Sequence, residues 1–224
     1  MSSEYCKDWN PFFEKGVAPK VLLVGHDPRL QSSDIIAEYA LFSNYFFKEE
    51  PKNGSERRKH GLSAKSFGQI LDIKNHRFRA KEIYVTNLCN EPLAHAPKGK
   101  TVLIPERIAK EGCERISTIV RRYKTIEYIF PMSQQVNYWL QFFGMYHTTT
   151  YFLDKAKPKQ KGIDNDPPYY EAIKQRDCPF LEICGNIYYL ETGQKVIPIL
   201  HTKQYGQLKA YFQSYERIRH LFED

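Results

Sequence analysis

Residues 21–29, VLLVGHDPR, decide the fold of this chain. The four consecutive apolar residues at 21–24 are typical of a strand buried on both faces of a parallel sheet. Gly25 allows the backbone to turn closely after the strand, and Pro28 stiffens the exit from the turn. Asp27 is thereby expected at the rim of the sheet, where its carboxylate can reach a water or a substrate. A role in capping the turn or the following helix explains the same residue equally well.

Strand and helix patterns alternate along the rest of the chain. Apolar runs predict further strands at 83–86, 126–130, 187–190 and 196–200, the last two forming a hairpin. Capping residues and helical periodicity predict helices that start at Ser32 or Ser33 and at Pro105, and others over 66–73, 133–143 and 207–222. This alternation implies an α/β fold with three α/β/α layers around a central, mostly parallel four-stranded sheet. We expect one domain over residues 1–224.

Ligands bind such sheets at loops that leave the carboxyl ends of the strands. Three predicted loops meet this condition, at 25–31, 87–91 and 201–208. Asn87 offers one acceptor and two donors, which suits the edge of a flat amide-like ring, although an Asn also stabilises turns. His201 can donate a hydrogen bond to developing negative charge, although a His at a strand end is often structural.

Composition narrows the choice of partner and compartment. Lys and Arg total 33 against 26 Asp and Glu, and the resulting net charge of +7 suits a polyanion such as nucleic acid. No apolar run reaches the roughly 18 residues of a membrane span, and Met1 to Phe13 lack the order of a signal peptide. The five cysteines are scattered without a C-x-x-C pair, which favours reduced thiols in a cytoplasmic protein.

Taken in chain order, the three loops resemble those of the uracil-DNA glycosylase superfamily. The sequence GHDP at 25–28 is similar to the first motif of that superfamily, which reads GQDPY in its best-known branch. The sequence IYVTNLCNEP at 83–92, followed by the helix at Pro105, resembles the second-strand region of the iron–sulfur branch. His201 stands where the final motif, HPS, begins. The resemblance covers most of residues 20–222.

The resemblance implies hydrolysis of the N-glycosidic bond of a damaged base that is flipped out of DNA. Asp27 would orient water and favour the cationic sugar, and His201 would stabilise the departing base anion. Asn87 would read the base edge, in a base-binding site with Gly25 and His26. Base stacking would come from an aromatic residue about a dozen positions after the Asp, with Phe42 preferred over Tyr39; an amphipathic core helix explains Phe42 equally well. No metal or organic cofactor is implied.

The superfamily also implies how DNA would be held by a monomeric protein. Tyr205 falls where relatives place an apolar wedge that fills the gap in the duplex. Three basic residues are assigned to the DNA-binding surface: Arg29, Lys203 and Lys209.

The sequence departs from the superfamily's motifs at three places. Arg29 replaces the Tyr that crowds the methyl group of thymine, which predicts less strict selectivity for uracil. The sequence HTKQ from His201 lacks the Pro-Ser of the final motif. Only Cys6 precedes the first strand, so we predict no iron–sulfur cluster, and we predict that Cys89 and Cys113 are buried thiols.

Two alternatives remain open at the level of sequence. One is a nucleic-acid-binding protein that keeps the glycosylase fold without catalysis, which the altered final motif supports. The other is an unrelated α/β hydrolase or nucleotide-binding enzyme. The chain contains no G-x-G-x-x-G, G-x-x-x-x-G-K-[ST] or G-x-S-x-G motif, which argues against this second alternative.

Overall fold

The structure is a computed structural model that describes residues 7, 8, 10, 16–27, 30–32, 35–36, 40, 78–91, 93, 104–148, 180–200 and 217. Its strands are β1 (Val21–Gly25), β2 (Leu30–Ser32), β3 (Ile35–Ile36), β4 (Ile83–Asn87), β5 (Tyr128–Pro131), β6 (Tyr188–Tyr189) and β7 (Lys195–Val196). Its helices are α1 (Glu106–Arg122), α2 (Gln134–Phe142) and the short α3 (Phe180–Ile183), and a 3₁₀ turn spans Ala80–Glu82.

The main sheet has five strands in the order β4-β1-β5-β7-β6. The first four run parallel to one another, and β6 is antiparallel to β7. The predicted α/β class and mostly parallel sheet are therefore confirmed, as is the hairpin of β6 and β7. The predicted count of four describes only the parallel strands, because the first strand of the hairpin adds a fifth.

The strands β1 and β4 are buried on both faces of the sheet, because every residue in them is buried. On one face, Leu22, Val24 and Ile129 belong to the core cluster that includes the buried sides of α1 and α2. On the other, Val21, Leu23, Ile83, Val85 and Phe130 are each at most 1 % exposed. An uninterrupted apolar run is what a strand buried on both faces requires, which explains the sequence of β1.

Both long helices begin where the sequence predicts, and α2 also ends there. Pro105 is the N-cap of α1, and the apolar stripe along that helix is buried. Ser133 is the N-cap of α2, and its hydroxyl accepts a hydrogen bond from the Val136 N–H. No helix in the described part of the chain is long and apolar enough to cross a membrane.

The helix predicted from Ser32 or Ser33 is wrong over its first turn. Leu30–Ser32 and Ile35–Ile36 pair as the antiparallel strands β2 and β3 instead. Ile35 and Ile36 are consecutive β-branched residues, which favour an extended backbone. The helix predicted at 66–73 lies outside the described residues, and of the one at 207–222 only Arg217 is described, in helical conformation.

Candidate functional site

The ends of β1 and β4 bring two of the three predicted loops side by side. Gly25 is the register partner of Asn87 at the last position of the two strands. The ladder continues beyond them, because the Leu88 N–H donates to the Gly25 carbonyl at 2.8 Å and the Cys89 N–H to the His26 carbonyl at 2.9 Å. The residues after β1 are thus held against those after β4 at the carboxyl edge of the sheet.

The side chain of Asn87 is completely buried, at 0 % exposure. Neither its Oδ1 nor its Nδ2 has a hydrogen-bond partner among the described residues. A buried polar group without a partner costs about 1–3 kcal/mol, so native proteins rarely keep one without a reason. An amide without partners can form two hydrogen bonds with a group that presents an adjacent donor and acceptor.

His26 and Asp27 form a close pair at the same edge. His26 Nδ1 lies 2.6 Å from Asp27 Oδ1, and the two side chains are only 13 % and 16 % exposed. His26 Nε2 is buried and has no partner among the described residues. The carboxylate therefore sits in a partly dry environment, where its charge acts on nearby groups more strongly than in water.

The thiol of Cys89 lies close to this pair and stays protonated. Burial raises the pKa of Cys89 to about 11, and the nearby Asp27 charge adds to the rise. Its Sγ donates to the Glu91 carbonyl at 3.0 Å. Burial likewise raises the pKa of Cys113 to about 12. Both cysteines are buried free thiols, as predicted.

Arg115 of α1 holds the backbone of the loop that follows β4. Its Nη2 donates to the carbonyls of Asn87 and, at 3.3 Å, Leu88. The helix approaches this loop closely because Gly112 has no side chain. The sequence analysis did not indicate this role of Arg115. A glycine inside a strongly amphipathic helix, one turn before the arginine, was the available signal.

Asp8 supports β4 from the N-terminal segment, a contact that the sequence did not indicate. Its carboxylate accepts hydrogen bonds from the hydroxyls of Thr86, at 2.7 Å, and Tyr84, at 3.1 Å. Asn90 Nδ2 lies 3.5 Å from the same carboxylate. Burial and then the Asp8 charge raise the pKa of Tyr84 far above its ordinary value, so its hydroxyl remains a donor. These bonds fix the strand that ends at Asn87.

A cavity of about 210 Å³ opens next to this loop. Its lining residues are Leu88, Asn90, Glu91, Ile108, Glu111 and Arg115. Neither Asp27 nor Asn87 lines it, so the cavity is separate from the candidate site. In the described part of the chain, no group of three His, Cys, Asp or Glu side chains is placed to hold a metal ion.

The structure thus places Gly25, His26, Asp27 and Asn87 at one carboxyl edge of the sheet. The other predicted site residues lie outside the described residues: Arg29, Phe42 with its rival Tyr39, His201, Lys203, Tyr205 and Lys209. No protein-family model matches the chain, and no curated protein matches it significantly.

Proposed function

We propose that this chain is a DNA glycosylase with the arrangement of the uracil-DNA glycosylase superfamily. It hydrolyses the N-glycosidic bond of a flipped uracil or another deaminated base in DNA. The observation that carries the proposal is the buried, unpartnered amide of Asn87 at the same edge of the sheet as the Asp27 carboxylate. The parallel strand order β4-β1-β5-β7, with β1 inside the sheet, supports it by placing both residues at one carboxyl edge.

Asn87 reads the base in this proposal. Uracil, hypoxanthine and xanthine each present a ring N–H next to a carbonyl, and a primary amide complements both groups with two parallel hydrogen bonds. Because the amide is already dehydrated in the free protein, the complex gains these bonds without a further cost of removing water from Asn87.

Asp27 acts on the sugar side of the bond that breaks. Its Oδ1 is engaged by His26, whereas its Oδ2 accepts no hydrogen bond from the described residues. The free oxygen orients the attacking water, and the negative charge stabilises the cationic sugar of the transition state. A carboxylate in a partly buried site does this more effectively than one in bulk water.

His201 completes the proposed reaction by stabilising the departing base anion. Its covalent neighbour Leu200 is buried, and Ile199 bridges Met132 in parallel beyond the ends of β7 and β5. The chain therefore runs past the sheet toward its carboxyl edge immediately before His201. The net charge of +7 favours binding of the DNA backbone.

A panel of substrates tests the proposal. The purified full chain is incubated with single- and double-stranded oligonucleotides that contain uracil, hypoxanthine or xanthine, with undamaged oligonucleotides as controls. Abasic sites are then revealed by alkaline cleavage. We expect excision from at least one damaged substrate and none from the controls. Failure on every substrate contradicts the proposal, and DNA binding without excision then identifies the non-catalytic alternative.

A further inference from the structure

We propose that His26 is a positioning residue: its Nδ1–H fixes the carboxylate of Asp27 so that Oδ2 faces the reacting sugar. This inference rests on the proposed base excision and assigns His26 a role other than contact with the base. It starts from the 2.6 Å separation of His26 Nδ1 and Asp27 Oδ1.

The imidazole ring of His26 is held in place by its surroundings. Its side chain is 13 % exposed, and its backbone carbonyl is tied to the Cys89 N–H at 2.9 Å. Since Nε2 has no partner among the described residues, Asp27 is the one polar contact that the described structure gives the ring. A rotation of the ring would therefore lose its hydrogen bond without gaining another.

The Cys89 thiol donates to the Glu91 carbonyl and not to Asp27. Among the described residues, His26 makes the one side-chain hydrogen bond to the Asp27 carboxylate. A lone carboxylate rotates about its Cβ–Cγ bond, whereas one that accepts a fixed hydrogen bond presents its second oxygen in one direction.

This arrangement also fixes the tautomer of His26. An ionised carboxylate only accepts hydrogen bonds, so Nδ1 must carry a proton. The hydrogen bonds of the two ring nitrogens determine which of them carries the proton. The pair can therefore be tested in solution without reference to activity.

The first test measures single-turnover excision with variants of His26. His26→Phe keeps the size of the ring but removes the donor, and should lower the rate by about 10- to 100-fold, as loss of an orienting partner does at other sites. His26→Asn keeps an N–H near the position of Nδ1 and should stay within about threefold of wild type. His147→Phe, at an exposed histidine, is the matched control and should leave the rate unchanged.

A double-mutant cycle separates positioning from a general loss of structure. In the Asp27→Asn background, His26→Phe should change the remaining rate by less than about twofold, because the carboxylate on which His26 acts is absent. A merely structural effect of His26→Phe would lower both rates by the same factor, and that result would overturn the inference. If the wild type excises the base and His26→Phe does so at the same rate, the inference is overturned as well.

The second test is independent of catalysis. Long-range ¹H–¹⁵N spectra of the full chain, with the His26 signals assigned from their absence in His26→Asn, should show a proton on Nδ1. In Asp27→Ala this preference for Nδ1 should be lost. An Nδ1 without a proton in the wild type overturns the inference. Absence of excision by the wild type contradicts the proposed function, and with it the catalytic use of the pair.

Discussion

Gly112 of α1 lies so close to Leu88 that a Cβ at position 112 would be 2.0 Å from the Leu88 carbonyl oxygen. Such a distance is a severe overlap with backbone, so the helix and the loop could not both keep their positions. The same loop carries the carbonyls that Arg115 binds. The close approach at Gly112 is therefore part of what places Asn87.

Gly112→Ala should destabilise the protein even though alanine is the better helix former. Alanine gains about 1 kcal/mol in a helix interior, but forced overlap in a packed core costs about 1–3 kcal/mol or more. We expect the free energy of unfolding to fall by about 2 kcal/mol in urea denaturation. Glu114→Ala, at an exposed position of the same helix, is the control and should change it by less than about 0.5 kcal/mol. A stabilised Gly112→Ala variant would show that α1 does not press against the loop.

Asn87→Leu should stabilise the protein in the absence of DNA. Leucine has nearly the shape of asparagine and removes a buried amide that lacks partners, which is worth about 1 kcal/mol or more. The same variant should lose base excision. Thermal and urea unfolding measure the first effect, and the substrate panel measures the second.

Asn137 provides the matched control for that substitution. Its amide donates to the Pro131 and Ser133 carbonyls and accepts from the Tyr146 hydroxyl. Asn137→Leu should therefore destabilise the protein by about 3 kcal/mol, because three hydrogen bonds are lost. Equal destabilisation by the two substitutions would mean that the Asn87 amide is satisfied within the free protein.

The fold was largely predictable from the sequence because its signals are local. The apolar run of β1 and the caps at Pro105 and Ser133 depend on neighbours along the chain, and the elements they predict are present. The pairing of β2 with β3 was not predictable. Capping serines and helical spacing favoured a helix there, and local periodicity does not indicate the pairing partner of Ile35 and Ile36.

The site was predictable only where a residue directly follows a strand. Asp27 and Asn87 lie at the same edge of the sheet because parallel strands end at one edge, which sequence order implies. Asp8 and Arg115 reach the site through contacts across 78 and 28 positions of the chain, respectively. Such long-range contacts leave no periodic pattern, and an arginine among charged neighbours on a helix looks like a solvated residue.

Glu82→Gln should weaken the protein at neutral pH but not at low pH. Burial acts to raise the pKa of Glu82, but hydrogen bonds from Arg79 and the charge of Lys20 outweigh it and hold the pKa at about 2, against an ordinary value of 4.5. A lowered pKa in the folded state contributes stability above the unfolded value, and this stability is lost as the pH falls toward 2.

At pH 7, Glu82→Gln should lower the free energy of unfolding by about 2–3 kcal/mol. This difference from the wild type should shrink below pH 4.5 and vanish near pH 2. Urea unfolding of both proteins across this range measures it. Glu127→Gln, at an exposed carboxylate, should give little difference at any pH. A difference for Glu82→Gln that is constant with pH would show that the charge of Glu82 does not stabilise the fold.

DNA binding should depend strongly on salt and weakly on sequence. If about five phosphates are neutralised, log K should fall against log salt with a slope of roughly −4 to −5. Titrations of a labelled undamaged duplex at several salt concentrations measure the slope. A flat response, or no binding at low salt, would remove DNA from the proposed partners.

Asp27→Asn should lower excision without a comparable loss of DNA affinity. The substitution keeps the size of the side chain but removes the charge that acts mainly in the transition state, so the rate should fall by about 100-fold or more.

His201→Ala should also lower the rate of excision, because the departing base anion loses the hydrogen bond that stabilises it. Because Arg29 replaces a Tyr of the best-known branch, the wild type should accept more than uracil alone.

The most direct measurement is the single-turnover rate of excision by wild type and Asp27→Asn on the best substrate of the panel, with DNA affinity measured at the same salt. Glu114→Gln removes an exposed carboxylate in the same way and serves as the control. The account predicts wild-type rates for Glu114→Gln, and for Asp27→Asn a rate at least about 100-fold lower with nearly unchanged affinity. Equal rates for all three proteins would contradict it.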